Sequence, residues 1–191
     1  MSLRRIFKVV AFGFFLLLTC PLIILAWIEK AISSSEGIFV AFGQLLSLGP
    51  GVPGIYLRGG YYFGTLSQCS WETHIGFGSF FTHREACVGN NVSTGSYCVI
   101  GQACIDRDVR MASRISIPSG KRQHLDEQGR LSAETKYDQV FIGKGCWVGE
   151  GAIILDDIGE ESIVSAGAVV IKPMPESSLI GGNPARVLKT L

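Results

Sequence analysis

A six-residue repeat runs through the C-terminal part of this chain and limits the folds that it can adopt. Two stretches show it most clearly, Ile142–Ile153 (IGKGCWVGEGAI) and Ile158–Val169 (IGEESIVSAGAV). In each hexad the first residue is aliphatic, the second is glycine or small, and the fifth is small. A period of six is too short for a pair of helices or a propeller blade. It is typical of a parallel β-helix, in which each hexad forms one face of a coil.

The repeat extends well beyond these two stretches. It begins at Ile75, shifts by one residue at Ile105, and is interrupted by the polar segment Pro118–Asp138 before it resumes. One later turn, Ile154–Asp157, is two residues short. The hexads predict roughly four to five three-sided coils, stacked about 4.8 Å apart as neighbouring strands are.

The cysteines fit this repeat better than they fit a disulfide or zinc site. The chain has six, and none forms a Cys-x-x-Cys pair. Three of them fall on the fifth position of the hexad, which is expected to face a narrow core where a free thiol acts as a small apolar group. Free thiols are consistent with a reducing, cytoplasmic compartment. The residues predicted to share this position are Ser79, Val92, Cys98, Cys104, Cys146, Ala152, Ser162 and Ala168.

The N-terminal segment is apolar enough to enter a membrane. No charged residue lies between Lys8 and Glu29, and Val9–Ile28 has the length that crosses a hydrocarbon layer of about 30 Å as a helix. Arg4 and Arg5 precede it, as is common on the cytoplasmic side. A signal peptide is the alternative, but the run is longer than a usual signal core and no clean cleavage site follows. Membrane attachment is therefore the favoured interpretation.

The next residues are predicted to be helical as well. Residues 1–30 should form an anchor helix that Pro21 bends. Gly37–Leu48 is apolar but too short to span, which suits an interfacial or re-entrant helix. Gly49–Gly54 predicts a firm break. The aromatic residues of Ile55–Leu66 suit the headgroup region, or equally a helix that caps the end of the β-helix.

Three motifs carry a resemblance to a known family. Ile142–Gly149 is similar to a coil of the form IGxxxWIG, Ser165–Pro175 to one of the form AGSVVxKxxP, and Gly182–Ala185 to a GNPA ending. In this order they resemble the hexapeptide-repeat acyltransferases, which are left-handed β-helix enzymes that use acyl-CoA. The resemblance covers Ile75–Leu191.

The resemblance implies an all-β left-handed parallel β-helix, and the composition of the N-terminal residues predicts the membrane helices before it. We predict an N-terminal membrane-anchoring region over 1–66, the β-helix over 67–174 with a catalytic loop at 118–138, and a C-terminal tail or short helix over 175–191. The family also implies a homotrimer with an acyl-CoA groove between neighbouring subunits. The short turn at Ile154–Asp157 is expected to tighten this groove or move its lip.

The resemblance assigns a catalytic role to His124. It stands 18 residues before Ile142, within the interrupting segment, and its HLDE stretch looks like the HPLD stretch of the sugar acetyltransferases, without the proline. Acyl transfer to a hydroxyl needs a base near neutral pH, and histidine has a suitable pKa. Asp126 or Glu127 would orient the imidazole.

Further candidates come from the position beside His124 and from the same resemblance. Lys121 and Arg122, beside His124, are candidates for contact with a phosphate of the acceptor or with the lipid surface. Trp147 would line the reaction pocket, although it could equally be a packing residue, and Arg186 could be a solvated charge. The residues assigned to acyl-CoA are Trp147, Gly149, Ala166, Gly167, Lys172, Asn183 and Arg186.

These expectations predict an acyltransferase that moves an acetyl or other acyl group from acyl-CoA to a hydroxyl of a saccharide. The acceptor would be a lipid-linked or cell-surface polysaccharide intermediate, because an anchor brings both reactants to one surface. We expect the catalytic domain to face the cytoplasm at the inner (cytoplasmic) membrane. A first helix that crossed fully would put it outside, so a re-entrant helix or a hairpin with Gly37–Leu48 is predicted instead.

Two other functions remain open on the sequence. One is a non-catalytic trimeric scaffold held at the membrane. The other is a γ-carbonic-anhydrase-like zinc enzyme, but His74, His83 and His124 lack the close spacing that its ligands need. We therefore expect no metal, an exposed coil position for His83 and a structural or interfacial one for His74. The net charge of +1 gives no reason to expect a nucleic-acid partner.

Overall fold

The hexads form the coils of a parallel β-helix behind three helices. The computed structural model describes residues 3–121, 123–124, 126, 128–133 and 135–191. The helices are α1 (Leu3–Ile32), α2 (Gly37–Ser47) and α3 (Gly51–Thr65). The strands are β1 (Gln68–Cys69), β2 (Phe80–Phe81), β3 (Cys87–Val88), β4 (Ser93–Thr94), β5 (Val99–Ile100), β6 (Ala103–Ile105), β7 (Arg110–Met111), β8 (Ser116–Ile117), β9 (Val140–Ile142), β10 (Trp147–Val148), β11 (Ile153–Ile154), β12 (Ile163–Val164), β13 (Val169–Val170), β14 (Ser178–Gly182) and β15 (Ala185–Thr190).

The strands stack into three sheets, one for each face of the coil. The first sheet contains β1, β3, β6 and β9, the second β4, β7, β10, β12, β14 and β15, and the third β2, β5, β8, β11 and β13. Bridges at Ile158 and Met174 continue the first sheet. Since the third sheet has five strands, the chain makes five complete coils and two faces of a sixth. The β-helix starts at β1, one face before the repeat becomes visible at Ile75.

The interior is built as the hexad predicts. The aliphatic first position and the fifth position both point inward into a close-packed core. Most fifth positions hold small side chains, and the larger ones include Val109, Ile115 and Val140. Buried first-position residues are Phe81, Val88, Ile100, Ile105, Ile117, Ile142, Val148, Ile154, Val164 and Val170. Other buried fifth-position residues are Ser79, Val92, Cys98, Cys146, Ala152, Ser162 and Ala168.

Cys104 is the exception, and its predicted core position is wrong. It lies on β6 between the buried residues Ala103 and Ile105, so its side chain points outward and is half-buried. The coil is one residue shorter here, because Ile105 follows Ile100 by five residues rather than six. Ala103 therefore takes the small inward position, and Cys104 instead lies beside Cys87 of the neighbouring strand.

The C-terminal segment is a strand pair, and the predicted short helix is wrong. Ile180 fills the aliphatic position of a sixth coil, so β14 pairs in parallel with β12 and extends the second sheet. The chain then turns at the cis Asn183–Pro184 peptide, and β15 pairs antiparallel with β14. A helix is incompatible with this continuation of the coil.

Helix α3 covers the open end of the first coil. Of the two predictions for Ile55–Leu66, a headgroup segment or a cap on the β-helix, the structure shows the cap. The Tyr62 ring packs 4.8 Å from the Phe81 ring, and its hydroxyl accepts a hydrogen bond of 3.1 Å from the Phe81 N–H. Buried Arg58 donates to the carbonyl oxygens of Ile75 and Gly49, each at 2.8 Å. The predicted break is shorter than expected, because α3 already begins at Gly51.

Helix α1 is continuous through Pro21 and lies across the capped end. The Phe12 ring is 6.0 Å from the Trp71 ring of the first coil. Near its other end, the Ala26 carbonyl oxygen accepts a hydrogen bond of 2.6 Å from Arg84, which is also in the first coil. Fourteen residues separate Phe12 and Ala26, about 21 Å along a helix. One side of α1 therefore touches the β-helix at two distant points.

Two glycines let α3 approach α1 closely. A Cβ on Gly60 would lie 3.1 Å from the Leu16 Cα, and one on Gly64 would lie 2.7 Å from the Ile23 Cδ1. Glycines four residues apart share one face of a helix, and this spacing is frequent where helices pack in membranes.

The remaining surface of α1 is apolar and exposed. Among the described residues, α1 is the one helix long and apolar enough to cross a membrane, judged by length and composition. A core helix or a signal sequence would satisfy the same criterion. Its exposed large apolar side chains include Phe14, Leu17, Leu18, Ile24, Leu25, Trp27, Ile28 and Ile32.

The narrow interior makes a direct prediction. Ala152→Leu should lower the free energy of unfolding by about 1–3 kcal/mol, because the added methyl groups have no space in the fully buried position. Thermal unfolding of the detergent-solubilised protein, followed by circular dichroism, measures this. Ile153→Leu is the matched control, since that side chain points outward and is 38% exposed. Equal melting temperatures for the two variants would contradict the inward assignment.

Candidate active site

One corner of the β-helix carries most of the polar side chains that the sequence singled out. It lies where the third sheet turns into the first, and we call it the arm corner. In successive coils it comprises residues 82–86, 101–102, 118–139, 155–157 and 171–173. Because neighbouring coils are about 4.8 Å apart, these segments form a continuous edge along the axis.

The segment 118–139 leaves this corner as an antiparallel arm. The Asp138 N–H donates to the Ser119 carbonyl oxygen, and the Lys136 N–H to that of Gln123, both at 3.0 Å. These pairs bring the two sides of the arm together as it leaves the coil. The arm does not disturb the stack, because β8 and β9 still occupy their sheets on either side of it.

His124 lies on this arm with an exposed side chain. Its carbonyl oxygen accepts a 2.9 Å hydrogen bond from the Ser132 N–H. Asp126 is directed elsewhere: its carboxylate accepts from the backbone N–H groups of Gln128 at 2.9 Å and Arg130 at 2.8 Å. Within the described residues, the Asp126 carboxylate therefore closes the turn of the arm and does not orient the His124 imidazole.

Lys121 ties the arm to later coils. Its ammonium group forms an ion pair with Asp156 and donates to the Ile171 carbonyl oxygen at 2.9 Å. Both partners lie on the arm corner, so Lys121 fixes the base of the arm. The other candidates beside His124, Arg122 and Glu127, lie outside the described residues.

Three of the residues assigned to acyl-CoA meet at the C-terminal end. Lys172, Asn183 and Arg186 line a cavity of about 410 Å³ together with Ile171 and the turn at Pro184. Lys172 and Arg186 are exposed. Two cations at an open cavity are suited to contact with phosphate groups.

The other four lie on a different corner, where the second sheet turns into the third. Trp147 lies on β10 of the second sheet and is 53% exposed, and Gly149 stands at the corner just after this strand. A Cβ on Gly149 would lie 2.5 Å from the Ala166 nitrogen, so close stacking of the coils requires this glycine. Gly167 has φ +69° and open space around it. We call this the glycine corner; within one chain the third sheet separates it from His124.

A polar cavity of about 480 Å³ lies where the helices meet the arm corner, and we call it the junction pocket. The predicted exposure of His83 is wrong: its side chain is only 13% exposed. Its Nδ1 lies 2.6 Å from a Glu36 carboxylate oxygen, and its ring is 4.2 Å from the Tyr137 ring of the arm. The lining residues are Lys30, Ser33, Ser34, Ser35, Glu36, His83, Arg84, Glu85, Gln102 and Tyr137.

Charge pairing organises this junction. Burial raises the pKa of the Glu36 carboxyl, but hydrogen bonds from the His83 side chain and the Arg84 N–H outweigh it and hold that pKa below its usual value. Arg84 is buried and forms an ion pair with Glu29 of α1. Burial, aided by Arg58, lowers the pKa of His74, in keeping with the structural or interfacial position expected for it.

The zinc-enzyme alternative finds no support in the histidine positions. Among the described residues, one group of three potential ligands has its atoms within 4.8 Å of one another, and it consists of Glu36, His83 and Glu85. His74 and His124 are not part of it, so the three histidines do not form a common site.

The sequence did not point to the junction pocket. His83 and Glu36 are 47 residues apart. The hexad repeat gives no information on which corner of a coil contacts the α1–α2 connection. The available signal was the polar run Ser33–Glu36 between two apolar segments. Its composition alone does not reveal its partner.

Comparison with known proteins adds to this geometry. No protein-family model matches the chain. It is 29% identical over 113 residues to Escherichia coli K12 WbbJ, which is named as an O-acetyl transferase of lipopolysaccharide biosynthesis; the match covers 52% of this chain and 58% of that protein. The chain spans a little over half the length of such curated relatives.

Solved structures share the fold over most of the chain. A maltose O-acetyltransferase from Clostridium difficile 630 superposes with a TM-score of 0.69 at 22% identity, over 80% of this chain and 84% of that one. A hexapeptide-repeat acetyltransferase from Vibrio cholerae, solved with acetyl-CoA, gives 0.70 at 19% identity, over 84% and 91%.

These likenesses confirm the left-handed parallel β-helix. Over about half of its length the chain is also similar in sequence to curated acetyltransferases.

Proposed function

We propose that this protein transfers an acetyl group, or another acyl group, from acyl-CoA to a hydroxyl of a lipid-linked or cell-surface saccharide. The named activities of its relatives support this: one acts in lipopolysaccharide biosynthesis, one acetylates maltose, and one was solved with acetyl-CoA. His124 is the proposed general base.

The observation that carries the proposal is the position of the arm. It leaves the arm corner between the cavity of Lys172 and Arg186 on one side and the N-terminal helices on the other. A donor held by these two cations and an acceptor near the helices would both reach an exposed His124. Phosphate contacts at the cavity would orient the donor along the corner.

In the proposed reaction, His124 accepts the proton of the acceptor hydroxyl as its oxygen attacks the thioester carbonyl carbon. The new C–O bond forms, and collapse of the tetrahedral intermediate breaks the C–S bond. The protonated imidazole then returns the proton to the leaving CoA sulfur. Backbone N–H groups of the coils would stabilise the oxyanion.

The base makes a kinetic prediction. His124→Ala should lower kcat roughly 10²–10⁴-fold, as expected for loss of general base catalysis, while acetyl-CoA binding stays unchanged. Acceptor-dependent release of CoA measures the rate, with lipid-linked oligosaccharide extract as acceptor, and calorimetry measures binding.

The matched control is Lys136→Ala on the same arm, which should keep the wild-type rate. Equal CoA release by wild type and His124→Ala would remove His124 from the mechanism. No acceptor-dependent release by the wild type, with trimers and membrane binding intact, would favour the scaffold function.

We further propose that the working unit is a homotrimer. Trp147 and the glycine corner are separated by a whole face of the coil from His124, Lys172 and the arm corner. If all of them serve one site, the glycine corner of one subunit must meet the arm corner of its neighbour. A closed ring of three copies makes three such contacts.

Mixed trimers test this arrangement. His124→Ala and Trp147→Ala, each inactive or weak alone, should give about a quarter of wild-type activity when co-expressed equally, because one in four random interfaces pairs two intact corners. Activity of affinity-purified mixed trimers measures the effect. Activity no greater than the sum of the single variants would show that each site lies within one subunit.

The anchor is proposed to lie in the membrane surface, with both chain ends in the cytoplasm at the inner (cytoplasmic) membrane. The support is that α1 contacts the first coil at Phe12 and again at Ala26 and Glu29. A helix crossing the bilayer would lose one of these contacts. The exposed apolar side of α1 can instead insert into the acyl-chain layer from one side of the membrane.

Topology mapping tests the anchor. In inverted inner-membrane vesicles, added protease should remove epitope tags from both the N-terminus and the C-terminus, and alkaline carbonate should not extract the protein. Lysed vesicles provide the control for tag accessibility. Protection of one tag in sealed vesicles would mean that α1 crosses the membrane.

A further inference from the structure

The junction pocket is a second cavity on the arm corner, and the proposed mechanism makes no use of it. It is bounded by the α1–α2 connection, the first coil at His83–Glu85, Gln102 of the second coil and Tyr137 of the arm. The cavity therefore joins all three parts of the molecule: helices, coils and arm.

Its position complements that of the cavity lined by Lys172 and Arg186, which we call the donor cavity. The arm leaves the third coil, the junction pocket occupies the first and second, and Lys172 lies after the fifth. At about 4.8 Å per coil, the pocket is about 5–10 Å from the base of the arm on one side, and the donor cavity about 10–15 Å on the other. A group bound in the junction pocket would approach His124 from the end opposite to the donor.

The lining is suited to a hydroxyl-rich ligand. Three consecutive serine hydroxyls, the Gln102 amide and the exposed Glu85 carboxylate can donate to or accept from sugar hydroxyls. The half-exposed Tyr137 ring offers a flat apolar surface. The lining has no excess of positive charge, because it holds Glu36 and Glu85 beside Lys30 and Arg84, and Arg84 is already paired with Glu29. This charge distribution favours a neutral head group over an anion.

His83 is held ready for such a ligand. Its Nδ1 is bound to the Glu36 carboxylate, which leaves Nε2 as the ring nitrogen available to the cavity. The Glu36 carboxylate is in turn held by the Arg84 N–H at 2.7 Å. These contacts restrict the imidazole to one orientation before any ligand binds.

The mouth of the pocket adjoins the apolar surface of α1. Lys30 belongs to the last turn of that helix, and Ile28 and Ile32 on either side of it are exposed. A lysine beside exposed apolar residues is typical of the boundary between lipid and water. An acyl or prenyl tail could lie along α1 while its polar end enters the pocket.

We propose that the junction pocket binds the saccharide head group of a membrane-borne acceptor, with Gln102 and the Glu36-held His83 as recognition residues. This inference rests on the proposed acyltransferase function and adds where its acceptor binds. Gln102 and His83 act in binding and positioning, and the proton transfer remains with His124.

The test compares acceptor kinetics of variants in lipid nanodiscs, with a long-chain alkyl hexoside as acceptor and acetyl-CoA as donor. Gln102→Ala should raise KM for the hexoside about tenfold, the loss expected for one or two hydrogen bonds, with kcat and KM for acetyl-CoA unchanged. Ser34→Trp should block the cavity and raise that KM further.

Two matched controls keep the result specific. Gln68→Ala removes an exposed glutamine from another face, and Ala31→Trp adds an indole next to the pocket but outside its lining; both should behave as wild type. Unchanged hexoside KM in Gln102→Ala and Ser34→Trp, with turnover intact, would overturn this inference alone.

Failure of the proposed function would look different, because the wild type would then show no acceptor-dependent CoA release. In that event, photo-crosslinking from a benzophenone side chain at position 34 still tests the pocket. Labelling by the alkyl hexoside, competed by free hexose, would support it, and labelling that hexose does not compete would overturn it.

Discussion

Each face of each coil has room inside for only two side chains, those of the first and fifth hexad positions, and the rest of the molecule depends on this limit. Small hydroxyls such as Ser79 and Ser162 enter this interior by bonding to carbonyl oxygens of the coils. Charged groups would lie there unpaired, so they are confined to the outer surface and the corners. A corner is also where the chain can leave and return without moving a strand. The arm at 118–139 does so between β8 and β9, which stay in their sheets. The same limit that makes the repeat regular therefore determines where a long loop can be inserted.

A buried charge pair sets the position of the helices relative to these corners. Arg84 of the first coil is paired with Glu29 of α1 and lies 5.0 Å from the Phe39 ring centre of α2. The Glu29 carboxylate also accepts the Ile38 and Phe39 N–H groups at the start of α2. Removing one partner of such a pair would leave the other charge buried without compensation. Any sliding of the helices over the first coil would have the same effect, so the junction pocket has a defined shape.

Much of the β-helix could be predicted from the sequence, because its periodicity reports side-chain direction directly. The prediction was wrong for Cys104, where a five-residue step moved the inward position to Ala103. It was also wrong at the C-terminus, where Ile180 continues the coil although no full hexad surrounds it. Contacts between regions that do not share the repeat could not be predicted from the sequence. The His83–Glu36 pair joins a coil corner to a helix connection, and neither residue type nor spacing identifies such a partner.

The orientation of α1 connects the anchor to the chemistry. A spanning helix would only tether the β-helix, and the arm corner would be free to face in any direction. In the proposed arrangement, a helix that touches the first coil at both Phe12 and Ala26 would instead fix the axis of the coils relative to the membrane surface. The junction pocket would then sit at that surface, and the cavity of Lys172 and Arg186 would lie farthest from it, where a water-soluble nucleotide can enter. A lipid-borne acceptor and a soluble donor would then reach one histidine from opposite ends of the same edge, and neither would have to leave its own phase.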